Sequence, residues 1–369
     1  MTTSEGFADN RFAAVRQAFE DNDEVGASVC VTVEGETVVD LWGGFADAAR
    51  TRPWQRDTIV NVYSVTKTMT ALTALLLADR GELEFEAPVA RYWPEFAAAG
   101  KESVTVAQVM SHSSGLSGWR EPITVDDLYD WEKATSLLAR QEPFWEPGTA
   151  GGYHVVTQGY LVGEVVRRIT GLSLGTVFRQ EIAEPLDADF HIGLPASQDH
   201  RVAELIPPAV VSPFDPDHST EIQLNAATNP DVDPTVTRTR AWRGAEIPAG
   251  NGTGNARSVA EIHALLANGG EAKGKRLLSE AGCRRALQVQ VEGPDLLLGT
   301  KIRWGLGFAV NGGIMPNPHT IYWGGSGGSL ALIDMDARLT FAYTMNKMAG
   351  GTTGDERGLG LVMATMLAS

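Results

Sequence analysis

A chain of 369 residues, with 43% hydrophobic and 21% charged residues, has the composition of a globular protein with a sizeable core. Length alone allows one large domain, and the usual prior favours two or three. The net charge of -16 at pH 7 argues against nucleic acid and anionic membranes as partners. No apolar run reaches the roughly 18 residues of a membrane span, and residues 1–10 lack the features of a secretory signal, so we expect a cytoplasmic protein. Its two cysteines, Cys30 and Cys283, predict neither a disulfide framework nor a zinc site.

Predicted strands cluster towards both ends of the chain, and the middle is mainly helical. In chain order, hydrophobic periodicity predicts helices over residues 11–22, 68–79, 106–110, 125–140, 157–170, 259–268, 279–287 and 353–367. Strands are predicted over residues 27–33, 36–42, 303–310, 319–323, 330–334 and 339–345.

This order of elements favours an α+β fold with a mixed antiparallel sheet built from both termini. Residues 1–80 and 250–369 would form the α/β domain, and residues 81–249 a mainly helical domain. Within the latter, residues 207–250 are rich in Pro, Asp, Asn and Thr and show little periodicity. A connection of this length is usually functional, so we predict a long loop over the functional site.

Ser64 and Lys67 form the motif on which the functional prediction depends. An extended lead-in over residues 58–63 precedes Ser64, and the free N–H groups of the helix that follows would favour negative charge beside its hydroxyl. A spacing of three residues places Lys67 one turn on, on the same face. Burial would lower the pKa of its amine and make it a general base for the serine. The alternative is a helix-capping serine and a solvated lysine, since Ser-x-x-Lys is common by chance.

Tyr153 ends a glycine-rich motif over residues 147–153. Its glycines allow the backbone to pass close to another element. The tyrosine hydroxyl would serve as a proton carrier if a nearby Lys67 lowered its pKa. The alternative is a surface turn with a half-buried tyrosine.

A second glycine-rich motif covers residues 322–329 on a predicted strand. Its glycines would let a substrate lie against the strand, and its free N–H groups could receive an oxyanion. Residues 324–328 also spell Gly-x-Ser-x-Gly, but a β-rich run follows where the hydrolase motif requires a helix, so we interpret Ser326 as a backbone contributor. His112 follows a helix in a tight turn, where a structural histidine bonded to backbone is favoured over a catalytic one. The seven histidines show no metal-ligand spacing.

Taken together, these motifs resemble the serine β-lactamase and penicillin-binding protein superfamily in order and spacing. The matching motifs are Ser64-x-x-Lys67, Tyr153 and Trp323-Gly324-Gly325, with further matches at residues 110–116, 146–148 and 250–257. Within this superfamily the chain is similar to class C β-lactamases in general and most similar to family VIII carboxylesterases.

The resemblance implies a β-lactamase-like fold, an antiparallel sheet flanked by helices with an inserted helical domain and the site between the two. By position it implies Ser64 as nucleophile, Lys67 as its base and Tyr153 as the second proton-transfer group. The backbone N–H groups of Ser64 and Ser326 would form the oxyanion hole. No cofactor and no metal are implied.

Two departures from class C β-lactamases shift the prediction towards an esterase. The lactamases have Tyr-x-Asn where this chain has His154 and Val155 after the tyrosine, so the amide that binds the β-lactam side chain is absent. They also have Lys-Thr-Gly on the strand, where this chain has Trp323 and two glycines. An indole offers one N–H and an apolar face in place of a cation, which favours neutral substrates.

We therefore predict a carboxylesterase that cleaves small neutral esters through an acyl-enzyme on Ser64. The predicted substrate-binding positions are Trp323, Gly324, Gly325, His154 and Val155. Alternatives within the superfamily are an acyltransferase, an amide hydrolase or a weak β-lactamase, because the fold does not fix the acyl acceptor. A catalytically silent binding protein is a further alternative, against which the intact set of Ser64, Lys67 and Tyr153 argues.

Overall fold

Strands from both ends of the chain meet in one large antiparallel sheet. The computed structural model describes residues 3–208 and 219–369, and within these ranges the sheet has nine strands. In chain order the strands of the molecule are β1 (Ser4–Ala8), β2 (Gly26–Val33), β3 (Glu36–Gly44), β4 (Val60–Asn61), β5 (Phe190–His191), β6 (Thr253–Gly254), β7 (Glu271–Ala272), β8 (Lys275–Arg276), β9 (Val291–Pro294), β10 (Lys301–Trp304), β11 (Ala309–Val310), β12 (Thr320–Gly324), β13 (Leu330–Asp334) and β14 (Leu339–Met345). The large sheet has the order β1-β3-β2-β14-β13-β12-β11-β10-β9, so the N-terminal strand β2 pairs with β14. The predicted α+β class is confirmed.

Helices cover both faces of this sheet. They are α1 (Ala13–Asp21), α2 (Thr66–Asp79), α3 (Val106–Met110), α4 (Trp131–Arg140), α5 (Thr157–Thr170), α6 (Leu174–Phe178), α7 (Glu221–Thr228), α8 (Arg240–Gly244), α9 (Ala256–Ala267), α10 (Glu280–Arg284) and α11 (Glu356–Ala368). Because side chains alternate along a strand, β2 serves two cores. Val29 and Val31 pack with Phe19 of α1 and Leu361 of α11, whereas Cys30 joins the larger cluster that includes α2 and α9.

Helix α2 is the centre of the larger core. Every residue of this helix from Thr66 to Leu77 is buried, and α2 packs against α5, α6 and α10. A helix without a polar face belongs in the interior. Because Lys67 lies on this helix, the lysine of the Ser-x-x-Lys motif is buried too. In the described part of the chain, no helix combines the length and the hydrophobicity needed to cross a membrane.

Some element boundaries differ from the prediction for local reasons. The predicted strand over residues 303–310 is divided into β10 and β11, because the chain turns at Gly307, whose φ is +87°. The predicted helix over residues 125–140 yields α4 only from Trp131, where the Asp130 side chain caps the helix by accepting the Lys133 N–H. The sequence pattern missed β1 and β9, whose residues are mostly exposed and carry no apolar run.

The prediction of a long loop over residues 207–250 is wrong for residues 219–250, which include two helices. Thr220 caps the start of α7 in a capping box: its side chain accepts the Gln223 backbone N–H, and the Gln223 side chain accepts the Thr220 backbone N–H. Helix α8 follows further along the same segment. Residues 209–218 lie outside the described residues. The division of the chain into an α/β domain and a helical domain stays a prediction.

Replacing Gly307 by alanine should destabilise the fold more than the same change at Gly274. Both glycines have positive φ, but a Cβ at Gly307 would lie 2.4 Å from the Cβ of Ala71 on α2, whereas Gly274 has open space. Backbone strain and overpacking together predict a loss of about 2–5 kcal/mol in the free energy of unfolding for Gly307→Ala, and about 1–2 kcal/mol for Gly274→Ala. Urea titration measures both, and equal losses would contradict the close packing of the β10–β11 turn on α2.

Candidate active site

Ser64 lies in a 3₁₀ turn, Tyr63–Val65, that leads directly into α2. The turn is anchored from both sides, because the Val62 N–H donates to the Gly252 carbonyl over 2.9 Å and the Val62 carbonyl accepts the Ser329 hydroxyl over 2.8 Å. Tyr63 has a φ of +44°, a left-handed conformation that is costly for a tyrosine and often marks a functional site. The serine hydroxyl is thereby presented at the start of a buried helix.

The Lys67 amine is completely buried one turn below Ser64. Its Nζ lies 3.1 Å from the Ser64 Oγ, 2.6 Å from the Val155 carbonyl oxygen and 2.9 Å from that of Ala249. Burial lowers the pKa of the amine well below its ordinary value. A neutral amine has two N–H donors and one lone pair. In that form the two carbonyls would take the donors, and the lone pair would be left for the Ser64 hydroxyl.

Tyr153 lies beside this pair, fully buried. Its hydroxyl accepts a hydrogen bond from the Trp323 indole N–H over 3.1 Å, and the Lys67 Nζ lies 4.8 Å from the centre of the tyrosine ring. Burial raises the pKa of the phenol, although hydrogen bonds with Ser64 and Trp323 act in the opposite direction. Proton transfer by Tyr153 was tied to a pKa lowered by Lys67, whereas burial shifts the pKa of this phenol upward and favours its neutral form.

Asp295, which sequence reasoning missed, fixes the backbone of Tyr153. Its buried carboxylate accepts the N–H groups of Tyr153 over 3.1 Å and of Leu297 over 3.0 Å, and also the Trp304 indole N–H over 2.9 Å. These bonds connect the tyrosine to strand β10 and to the turn after β9. No local pattern in the sequence marks this role, because the bonded groups are up to 142 residues away.

Trp323 lies on β12 behind Tyr153, and only 4% of it is exposed. Its ring centre is 5.0 Å from that of Tyr153 and 4.7 Å from that of Trp304, in a small aromatic cluster. Its one N–H is used by the tyrosine hydroxyl. A direct contact between this indole and substrate stays a prediction. In the structure the indole instead donates a hydrogen bond that holds the Tyr153 hydroxyl in place.

The two glycines after Trp323 allow the end of β12 to approach Ser64. A Cβ at Gly325 would lie 2.3 Å from the Val62 carbonyl oxygen and 3.3 Å from the Ser64 nitrogen, and a Cβ at Gly324 would lie 2.3 Å from the Thr353 carbonyl oxygen. Side chains are excluded here because backbone lies against backbone. This close approach places the end of β12, just before Ser326, against the backbone around Ser64.

Ser64 and Ser326 both line the cavity described below. In the described ranges, neither backbone N–H has a backbone or side-chain acceptor, so both are available to a ligand. Ser326 lies in the turn between β12 and β13, and a strand follows it. This strand–turn–strand context differs from the strand–turn–helix context of a Gly-x-Ser-x-Gly nucleophile.

His154 and His112 form a neutral layer behind the tyrosine. The His154 Nδ1 lies 2.6 Å from the Gly152 carbonyl oxygen and donates to it, so its Nε2 accepts from the Ser114 hydroxyl over 2.8 Å. Burial lowers the pKa of His154 to about 3 and that of His112 well below its ordinary value. The His112 Nδ1 accepts the His154 backbone N–H over 3.1 Å, in agreement with a structural histidine bonded to backbone.

A cavity of about 200 Å³ opens at Ser64. Its wall includes Val155, one of the predicted substrate-binding positions, but not the side chains of Trp323, Gly324, Gly325 or His154. The lining residues are Tyr63, Ser64, Ser117, Gly118, Trp119, Tyr153, Val155, Val156, Thr157, Ala226, Ala227, Asn229, Pro230, Val232, Pro234, Trp242, Ile247, Ala249, Gly250, Ser326 and Thr352. As far as the chain is described, none of them carries a charged side chain.

Much of the cavity wall comes from the segment that the sequence analysis treated as a loop. Residues 226–234 and Trp242 lie over the site, and the Asn229 amide is fixed by accepting the Ile123 N–H over 2.8 Å and donating to the Trp119 carbonyl over 2.7 Å. That this segment covers the functional site stays a prediction. Among residues 3–208 and 219–369, no three His, Cys, Asp or Glu side chains gather in a group that could hold a metal ion.

Comparison with known proteins places these features in a family. The family model described as Beta-lactamase matches residues 12–362. An esterase/beta-lactamase from Mycobacterium tuberculosis (strain ATCC 25618 / H37Rv), LipL, is 36% identical over 367 residues, which cover 93% of this chain and 83% of that protein. Esterase EstB of Burkholderia gladioli is 33% identical over 192 residues, covering 47% of this chain and 48% of EstB.

Solved structures show the same relationship over the whole chain. A family VIII carboxylesterase is 44% identical with a TM-score of 0.94, and each chain covers 100% of the other. A penicillin-binding protein homologue from Caulobacter crescentus is 38% identical with a TM-score of 0.93 and the same full coverage. The resemblance inferred from the motifs is confirmed, and the chain belongs to the beta-lactamase family.

Proposed function

We propose that this protein is a carboxylesterase that hydrolyses small neutral esters through an acyl-enzyme on Ser64. The observation that carries the proposal is the 3.1 Å contact between the Ser64 hydroxyl and the buried Lys67 amine, at the mouth of a cavity with an uncharged lining. The similarity to a family VIII carboxylesterase and to proteins named as esterases supports ester hydrolysis as the reaction class.

Acylation begins when the lone pair of Lys67 takes the proton of the Ser64 hydroxyl and the oxygen attacks the ester carbonyl carbon. The carbonyl oxygen becomes an oxyanion, which the N–H groups of Ser64 and Ser326 bind. Preformed donors of this kind stabilise the transition state more than the ground state, because they need no reorganisation when the charge develops.

The leaving alkoxide then receives a proton and departs as an alcohol. Tyr153 is the group placed to pass that proton from the Lys67 ammonium, because burial favours its protonated phenol and the Lys67 Nζ lies 4.8 Å from the centre of its ring. Water enters as the second nucleophile, and its proton passes through the Tyr153 hydroxyl to the Lys67 amine as its oxygen attacks the acyl-enzyme. Lys67 later returns this proton to the departing Ser64 oxygen. The free acid then leaves, and the Ser64 hydroxyl is restored.

The uncharged cavity favours neutral substrates. A carboxylate brought into it would lose its hydration without gaining a cationic partner from the described lining, and such a transfer is costly. Val155 also stands at the lactamase asparagine position, so the lining lacks that side-chain amide. The uncharged lining and Val155 both favour neutral esters over the anionic β-lactams as substrates.

Ser64→Ala should lower the rate of nitrophenyl acetate hydrolysis by about 10⁴-fold or more, because the nucleophile is lost. Ser326→Ala, which keeps the backbone N–H, should retain most of the activity and provides the matched control. Steady-state kinetics measure the rates, and a fluorophosphonate probe should label the second variant but not the first. Normal turnover by a folded Ser64→Ala protein would defeat the proposal, and the reverse ranking would identify Ser326 as the nucleophile.

The pH profile of kcat/KM should show an acid limb and then a plateau. Protonation of Lys67 removes the base, so activity should rise with pH through the lowered pKa of its amine. No loss is expected near pH 10 from tyrosine ionisation, because the pKa of Tyr153 is raised. With the pKa of His154 at about 3, His154→Gln should leave the position of the limb unchanged. Disappearance of the limb in that variant would assign the base to the histidine.

An ester with a carboxylate on its acyl chain should react more slowly than a neutral ester of the same length. We expect kcat/KM for nitrophenyl hemisuccinate to be at least about 10-fold below that for nitrophenyl butyrate, because the cavity would have to desolvate the charge. Ala227→Lys places a cation on the cavity wall and should reduce the difference in kcat/KM between the two esters. This effect should become smaller as the salt concentration rises. Ala227→Met is the uncharged control. A wild-type preference for the hemisuccinate, or for benzylpenicillin, would overturn the neutral-ester assignment.

A further inference from the structure

Arg357, at the start of α11, reaches the turn that carries Ser326. Its Nη2 donates to the Gly327 carbonyl oxygen over 3.0 Å, and the side chain is only 15% exposed. Two carboxylates hold the guanidinium in place: Nη1 lies 2.8 Å from the Glu24 Oε2, and Nε lies 3.1 Å from the Asp355 Oδ2. Glu24 precedes β2, so this cluster joins the two ends of the chain on the far side of the turn from Ser64.

The turn is packed directly on this cluster. A Cβ at Gly328 would lie 2.3 Å from the Asp355 Oδ2 and 2.9 Å from the Arg357 Nη2. The Gly327 carbonyl accepts a second hydrogen bond, over 2.9 Å, from the Ala349 N–H. On its other side the turn meets the backbone around Ser64, through the close approach of Gly325. Contacts with the backbone around Ser64 on one side and with the charged cluster on the other therefore fix the turn that carries the Ser326 N–H.

Hydrogen bonds connect Arg357 to the Ser326 N–H through two peptide groups. The guanidinium bonds to the carbonyl of Gly327, which shares a peptide group with the N–H of Gly328. That N–H donates over 3.2 Å to the carbonyl of Gly325, which shares a peptide group with the N–H of Ser326. Each bond in such a chain polarises the next peptide group in the same sense. The series begins at a guanidinium that is paired with Glu24 and Asp355, and it ends at the N–H of Ser326, a residue that lines the cavity.

We propose that Arg357 is a positioning residue of the oxyanion hole, orienting and polarising the Ser326 N–H through the Gly327–Gly328 and Gly325–Ser326 peptide groups. The proposal rests on the proposed function, in which that N–H binds the oxyanion. A better polarised donor strengthens its bond to a developing negative charge more than to a neutral carbonyl. Arg357 therefore acts on the transition state and has little effect on the binding of the ester.

The test compares Arg357→Met, which removes the charge, with Arg357→Lys, which keeps it. Loss of a whole oxyanion donor costs about 10²–10³-fold in kcat, and weakening one should cost about 10-fold in Arg357→Met with KM nearly unchanged. Arg357→Lys should recover part of the loss. Affinity for a trifluoromethyl ketone, which forms a tetrahedral oxyanion on the serine, should fall in parallel with kcat/KM.

Leu361→Ala is the matched control, because Leu361 is buried on the same helix and lies outside the cluster. It should lower the thermal midpoint while keeping kcat, which separates loss of helix stability from loss of the relay. Should Arg357→Met fail to fold, Arg357→Lys carries the test. A folded Arg357 variant with unchanged kcat and unchanged ketone affinity would overturn the relay, and so would losses that appear only in KM.

Fluorophosphonate labelling keeps the two proposals apart. If the wild-type protein is labelled on Ser64 and hydrolyses esters, but the Arg357 variants do so equally well, the relay fails and the proposed function stands. If the wild-type protein is neither labelled nor active, the proposed function fails first, and the relay fails with it.

Discussion

The removal of the Lys67 amine from water is the constraint on which the rest of the site depends. An ammonium in this position would lose its hydration, and two backbone carbonyls replace only part of it, so the neutral amine is favoured. The carbonyls belong to Val155 and Ala249, which are far apart in the sequence, and α2 is buried on every side. The lowered pKa of Lys67 is thus a property of the assembled core, since the same lysine in an unfolded chain would be protonated at neutral pH.

The titratable side chains around Ser64 also favour their neutral forms. Burial raises the pKa of Tyr153 and lowers those of His112 and His154, so the resting site holds dipoles and no full charge on these side chains. Under the proposed mechanism, acylation creates one ion pair, the Lys67 ammonium and the oxyanion. Opposite charges attract strongly in surroundings of low dielectric constant, and this attraction offsets part of the cost of forming them. A Trp at position 323 suits such a site, because it secures Tyr153 without adding a charge.

Local sequence signals were sufficient for the helix after Ser64, for strands β2, β3, β13 and β14, and for the ordered motifs, because each depends on periodicity or on neighbouring residues. They were insufficient where distant segments decide the outcome. Tyr153 shows the difference: its place in the site follows from the motif, but the direction of its pKa shift depends on burial by Trp304 and Trp323. Asp295 bonds across 142 residues and Arg357 joins both ends of the chain, so neither role has a signature that a single stretch could display.

The pairing of β2 with β14 also governs when the protein can become an enzyme during its synthesis. Ser64 and Lys67 are synthesised early, but the turn with Ser326 and strand β14, which pairs with β2, are synthesised much later. Until then β2 has an unpaired edge, and such edges are prone to wrong partners. Under the proposed mechanism, a growing chain therefore carries Ser64 without the second N–H donor, and hydrolysis has to wait until the turn with Ser326 and strand β14 have been made.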